Sequence, residues 1–201
     1  VKEELTERLM TEMEKLTVGN GLDETVKVGP IINAGALEKI DRYVQIGRQE
    51  GAVLLAGGYT LHEDKEDAGY YYVPTLFTDV DRTMRIAKEE IFGPVVSLIE
   101  VESLEEAVEI NNEVSYGLSS SIFTQNVNQV FAAQRDLDTG IVYVNAGTIG
   151  AEIHLPFGGT KGTGNGHRDS GLAALDVFTE WKSVYVDFSG KLQRAQIDTE
   201  Q

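Results

Sequence analysis

A mixed α/β fold, with a parallel sheet covered by helices on both faces, is predicted from three features of the chain. Amphipathic helical stretches alternate with short apolar runs from residue 34 to residue 145. The runs Ala52–Ala56 and Ile141–Asn145 are continuously apolar up to their ends, the pattern of strands buried on two sides. Gly, Asn and Pro punctuate the junctions, as expected where helix gives way to strand.

The elements follow in order. Leu5, Leu9, Met13 and Leu16 recur at helical spacing, predicting an amphipathic helix over 2–16 that Gly19-Asn20-Gly21 ends. Asn33 is a suitable N-cap for a second helix reaching about Glu50, with Leu37, Ile40, Tyr43 and Val44 inward and Gly51 as its stop. Ala52–Ala56 then reads as a buried strand. Residues 57–69 are polar and acidic; the His62-Glu-Asp-Lys-Glu-Asp67 run invites a metal reading, but its purely local spacing and loop flanks favour a solvated excursion. Tyr70–Pro74 and Thr75–Thr78 read as extended, and Asp81–Glu90 as a short helix. Ser103-Leu-Glu-Glu106 is a capping box opening a helix through about Asn112, with Ala107, Val108 and Ile110 inward. Ser119–Thr124 is the next strand. Asn126 caps a helix whose Val127, Val130, Phe131 and Leu137 share a face; Gly140 closes it ahead of the strand Ile141–Asn145. A glycine-dense loop over 146–171 is long enough to suggest a function. A helix over Ser170–Phe178, a β-rich strand over Trp181–Phe188 and a polar tail complete the chain.

Composition narrows the function. The 201 residues suffice for one real core, and 17 basic against 33 acidic residues give a net charge of −16. Phosphate backbones and anionic membranes are repelled by such a surface, so neither nucleic acid nor membrane is an expected partner. There is no cysteine, which excludes disulfides, thiolate metal sites and a cysteine nucleophile within the chain. No apolar run reaches membrane-spanning length, and the charged opening Val-Lys-Glu-Glu-Leu-Thr-Glu-Arg is unlike a signal peptide, so a cytoplasmic location is expected. The opening also reads as mid-helix, the mark of a piece of something longer.

The most informative stretch is Lys88-Glu-Glu-Ile-Phe-Gly-Pro-Val-Val96. Gly93 frees φ and Pro94 bars further helix just before an apolar run, so Glu90 and Phe92 belong at the lip of a strand, where α/β folds collect ligands. A carboxylate beside an aromatic suits ribose hydroxyls next to a flat ring; the bland alternative is a solvated acid and a core Phe, which spacing alone favours. Gly159-Thr-Lys-Gly-Thr-Gly-Asn-Gly166 matches neither a P-loop nor a G-x-G-x-x-G turn, so it is not a phosphate cradle. The three histidines, His62, His154 and His167, lie in loops with no G-x-S-x-G elbow, and no hydrolytic triad can be assembled.

Glu89-Glu-Ile-Phe-Gly-Pro94 resembles the signature of the NAD(P)-dependent aldehyde dehydrogenase family. The resemblance continues collinearly through Gly29-Pro30-Ile31, Gly51-Ala52 with Gly57-Gly58, Pro74-Thr75-Leu76, Tyr116-Gly117-Leu118, Phe123-Thr124, Val144-Asn145 and Pro156-Phe157-Gly158-Gly159. It implies the C-terminal portion of a Rossmann-like catalytic domain over residues 1–178, with an oligomerisation strand and tail over 179–201. It further implies that Glu90 bonds the nicotinamide ribose of NAD or NADP, that Phe92 lies against the ring-bearing end, and that Phe157 lines the path of a small-molecule aldehyde. In the family a cysteine thiolate attacks the aldehyde, hydride passes to the nicotinamide, and water releases the carboxylate. The nucleophile and its helpers fall upstream of Val1, so the isolated chain is expected not to turn over. The strand at Trp181–Phe188 is expected to build a homo-oligomer by β-augmentation. The rival reading is a non-catalytic truncated relative serving as an assembly module for full-length subunits.

Overall fold

The structure, a computed structural model, describes residues 1–61 and 69–191. Helix α1 (Lys2–Met13) stops short of Leu16, and its apolar face is only partly covered: Leu9 and Met13 are half-buried and Leu5 stays exposed. The Lys2 ammonium ties its start to Asp79 and Glu100, each at 2.8 Å. Helix α2 (Ala34–Glu50) begins and ends where its caps predict. The Asn33 Oδ1 accepts the Ala36 N–H at 2.8 Å, and Gly51 takes the left-handed conformation that lets its N–H close the last turn.

Strand β1 (Val53–Ala56) leads into the two-stranded ribbon of β2 (Thr60–Leu61) and β3 (Tyr71–Tyr72). The acidic run His62–Asp67 lies outside the described residues. Strand β4 (Thr75–Thr78) then pairs antiparallel with β1 and parallel with β5 (Val95–Ser97), in the order β1-β4-β5. The buried parallel strand expected at Ala52–Ala56 is therefore corrected. The ribbon between β1 and β4 reverses the chain, and β1 becomes an antiparallel edge whose Val53 and Leu55 face outward. Strand β4 is instead the one buried along its whole length among the described residues, covered on both faces.

The expected helix over Asp81–Glu90 shrinks to α3 (Arg85–Lys88), because the Asp81 carboxylate accepts the Thr83 N–H and spends residues 81–84 on a turn. Side chains of α2, α3 and β4 make the core: Ile40, Tyr43, Val44, Phe77 and Ile86, with Tyr72 and Ile91 closing it. Each such side chain contributes roughly 1.5–3 kcal/mol by leaving water.

Helix α4 (Leu104–Glu113) carries the predicted reciprocal cap. Ser103 Oγ accepts from the Glu106 N–H at 3.1 Å, and the Glu106 carboxylate reaches back to the N–H of Glu102 at 2.7 Å, one residue earlier than the usual box. Beyond it lie β6 (Tyr116–Gly117), β7 (Ser119–Ile122), α5 (Val127–Asp136) and β8 (Ile141–Val144). Strands β7 and β8 run parallel on either side of α5 in the sequence, with Ser119 opposite Ile141 and Ile122 opposite Val144, as the expected α/β alternation requires. On α5 only Ala133 is buried, while Val127 and Phe131 of the predicted inward face are exposed.

The glycine-dense loop contains β9 (Thr160–Lys161), paired antiparallel with β6. Helix α6 (Ala174–Phe178) starts later than expected, since Ser170 and Gly171 both take left-handed φ values that no helix admits. The strand expected over Trp181–Phe188 does not form. Trp181 is 91% exposed and Phe188 95%, and no partner strand runs beside them among the described residues. A β-rich composition sets a local preference, but a strand exists only through its ladder. No helix among the described residues is long and apolar enough to cross a membrane.

Candidate functional site

Between α3 and β5 the chain makes the turn that Gly93-Pro94 demands. The Pro94 carbonyl accepts the Thr75 N–H at 2.8 Å, which registers β5 on β4 directly after the turn. At Gly93 a Cβ would stand 2.5 Å from Ile40 Cγ1, so helix α2 can lie against the turn only because that residue is glycine. One residue earlier, Phe92 adopts φ 57°, a left-handed conformation costing on the order of 1–3 kcal/mol for a bulky side chain. Its ring is 78% exposed. Strain and exposure together are the reverse of a core anchor.

The two adjacent carboxylates of this turn differ sharply. Glu89 is saturated: Arg85 donates from Nε and from an Nη at 2.8 and 2.9 Å, and the Tyr43 hydroxyl donates a further short bond. The Arg85 guanidinium, then the Tyr43 hydroxyl, hold the Glu89 carboxyl down at about 2. The same bond to Glu89 raises the phenol of Tyr43 above its ordinary value. Glu90 is the opposite. Its backbone carbonyl accepts from Lys39 Nζ at 2.7 Å, but its carboxylate has no hydrogen-bond partner among the described residues.

Both glutamates border a cavity of about 420 Å³, together with Lys88, Tyr116, Leu118 and Thr163, and of the two only Glu90 keeps its carboxylate free of partners among the described residues. The cavity thus lies between the turn, the β6 segment and the glycine-dense loop. Phe92 is not among its lining residues. An unpaired carboxylate at an open cavity can accept from hydroxyl donors of a bound ligand, while an exposed aromatic two residues on can meet a flat ring.

Phe157 lines a different cavity, of about 400 Å³, with Tyr143, Ile149, Leu155 and Pro156. It is half-buried, and its carbonyl accepts the Asp169 N–H at 2.7 Å. The loop reaches β8 closely: a Cβ at Gly140 would sit 1.8 Å from the Gly158 carbonyl oxygen. Arg168 donates to the Gly159 carbonyl at 3.0 Å and braces the same bend. At the end of β8, Asn145 takes a left-handed φ of 53° and clasps the backbone of Thr124, accepting at 2.9 Å and donating at 3.0 Å. The glycine-dense loop therefore borders both cavities, the Phe157 end on one and Gly162-Thr163 on the other.

His154 is exposed and lines neither cavity, and His167 is exposed as well. No grouping of His, Asp and Glu suited to a metal ion occurs among the described residues. What sequence reasoning missed is the support beneath the turn. Lys39 with Tyr43, and Arg85 with Glu89, are each spaced i,i+4, a signal that was visible but pointed equally to ordinary surface pairs.

The sequence profile of the aldehyde dehydrogenase family matches residues 1–184. An alpha-ketoglutaric semialdehyde dehydrogenase of Bacillus subtilis (strain 168) is 43% identical over 186 residues, covering 92% of this chain and 38% of its own length. The alpha-ketoglutarate semialdehyde dehydrogenase of Haloferax volcanii is 40% identical over 186 residues, with the same coverage of 92% and 38%. Among solved structures, an NAD-dependent aldehyde dehydrogenase from Sinorhizobium meliloti superposes with a TM-score of 0.89 at 35% identity, over 98% of this chain and 38% of that one. An NAD+ complex of an aldehyde dehydrogenase from Bacillus cereus gives 0.86 at 36% identity, over 92% and 37%. The chain thus spans about 38% of the length of the curated relatives it matches.

Proposed function

The chain belongs to the aldehyde dehydrogenase family, and from that premise we propose that it is the C-terminal portion of an enzyme oxidising an aldehyde to its carboxylate with NAD+ or NADP+. The single observation that carries the reading is the contrast at the turn: both glutamates border one cavity, but Glu89 is bonded to Arg85 and Tyr43, whereas the Glu90 carboxylate has no partner among the described residues. In this proposal the nicotinamide cofactor, when bound, supplies the hydride acceptor. Glu90 accepts from its ribose hydroxyls and fixes where the ring lies. The exposed Phe92 ring packs on the nicotinamide end, and Phe157 bounds the approach of the aldehyde from the second cavity.

Residues 1–178 then form part of the catalytic domain, and 179–201 an oligomerisation strand and tail. The exposed apolar segment Trp181–Phe188, without a partner strand among the described residues, supports a homo-oligomer in which it joins a neighbouring subunit's sheet. A cytoplasmic location belongs to the same proposal. Because the 201 residues contain no cysteine, the isolated chain has no thiol to attack an aldehyde and does not turn over. The semialdehyde named for the Bacillus subtilis and Haloferax volcanii relatives is the first substrate to offer.

The test is aldehyde oxidation by the intact protein that carries this chain, read as reduced nicotinamide with each cofactor. Glu90→Gln is expected to slow hydride transfer roughly tenfold at saturating aldehyde, without lowering the melting temperature. Wild-type kinetics in that variant would remove the ribose assignment. Failure of the intact protein to oxidise any of a panel of aldehydes would remove the activity.

A further inference from the structure

Helix α2 touches the cofactor-facing turn at points that share one helical face. Lys39 Nζ donates to the Glu90 carbonyl at 2.7 Å, Ile40 fills the space left by the missing Cβ of Gly93, and the Tyr43 hydroxyl donates to Glu89. Arg85, from α3, completes the set by gripping Glu89 in bidentate fashion. The ring of Tyr43 also lies 5.8 Å from the Lys39 ammonium and 5.3 Å from the Arg85 guanidinium, so both cations are held beside one buried aromatic. The contacts fall on residues 89, 90 and 93, on either side of Phe92, whose left-handed backbone is the strained point of the turn. Strain persists where neighbours over-determine the conformation.

We infer that Lys39 and Tyr43 are positioning residues, a clamp from α2 that holds the Glu90–Phe92 turn in its ligand-ready shape before any cofactor arrives. The clamp acts through the backbone of Glu90 and the side chain of Glu89, which leaves the Glu90 carboxylate unengaged. Without the Lys39 bond, Phe92 relaxes toward ordinary φ values and carries the Glu90 carboxylate with it. The inference rests on the ribose assignment of Glu90.

The experiment uses the intact protein that carries this chain, with Lys39→Met, Lys39→Arg, Glu90→Gln and the Lys39→Met/Glu90→Gln double variant. Hydrogen exchange of the cofactor-free protein reports the turn itself, and calorimetry reports NAD+ affinity. In Lys39→Met, amide exchange over residues 89–93 is expected to rise about tenfold while the helical core of α2 keeps its protection. NAD+ binding is expected to weaken by a similar, roughly tenfold factor, Lys39→Arg to recover most of both, and the double variant to bind no worse than twofold below Glu90→Gln alone. Unchanged exchange at 89–93, or a Lys39→Met penalty that persists in full on the Glu90→Gln background, would overturn the clamp while leaving the ribose assignment standing. Wild-type NAD+ affinity in Glu90→Gln would overturn both. Should Lys39→Met lose α2 protection throughout, Tyr43→Phe, which keeps the ring and removes the hydroxyl, must raise exchange at 89–93 by itself or the clamp is refuted.

Discussion

The segment from α2 to β5 and the segment that follows β8 treat apolar side chains in opposite ways. In the first, Ile40, Val44, Tyr72, Leu76 and Phe77 are fully buried, and helix, strand and turn close on one another. In the second, Ile149, Ile153, Leu172, Phe178, Trp181 and Phe188 all stand in solvent. Hydrophobicity is much the same in the two. What differs is the presence of neighbours: α2 and α3 bracket β4, whereas the glycine-dense loop and the tail have few elements folded over them. Burial in this protein therefore reports which surfaces the described residues close over and which they leave open.

The sharpest way to break that comparison is to empty each region in turn. Phe77→Ala is expected to destabilise the protein by about 3–5 kcal/mol, measured by chemical denaturation, since a fully buried ring leaves a cavity between α2, α3 and β4. A loss below about 1 kcal/mol would mean that this core is not the stabilising centre. Acid offers a subtler probe. The Glu89 carboxyl is held at about 2, against an ordinary 4.5, by Arg85 and then Tyr43. A depressed carboxyl contributes stability that is complete above about 4.5 and is lost as pH falls toward 2. The wild-type melting temperature should therefore fall more steeply across that window than that of Glu89→Gln, which has no such group to titrate. Parallel curves would show that the Arg85–Glu89–Tyr43 cluster contributes nothing to folding. The smallest effect is expected at the other end of the chain. Phe188→Ser should change subunit unfolding by no more than about 0.5 kcal/mol, because the ring is 95% exposed among the described residues. Sedimentation of the same variant should show smaller assemblies than the parent, and an unchanged assembly would remove the tail from the subunit interface.

The sequence made much of the local structure legible. Asn33 and Gly51 bounded α2 to the residue, Ser103 and Glu106 announced α4, and Asn126 announced α5, because a cap is a short-range hydrogen bond between residues near in sequence. The turn at Gly93-Pro94 was equally plain, and with it the place of Glu90. Strand partners were less so. An apolar run at Ala52–Ala56 reads the same whether its neighbour is parallel or antiparallel, and a β-rich run at Trp181–Phe188 reads the same with a neighbour or without one.

By itself, then, the sequence determined the alternation of helices and strands, their caps, the family to which they belong, and the absence of any thiol. Only the tertiary structure distinguished Glu89 from Glu90, two identical side chains one peptide apart. Both border the same cavity, and which of them is bonded by Tyr43, 46 residues away in the chain, and which keeps its carboxylate free depends on how α2 and α3 pack. Hydrogen-bond partners at that separation are set by packing, and packing is a property of the folded whole.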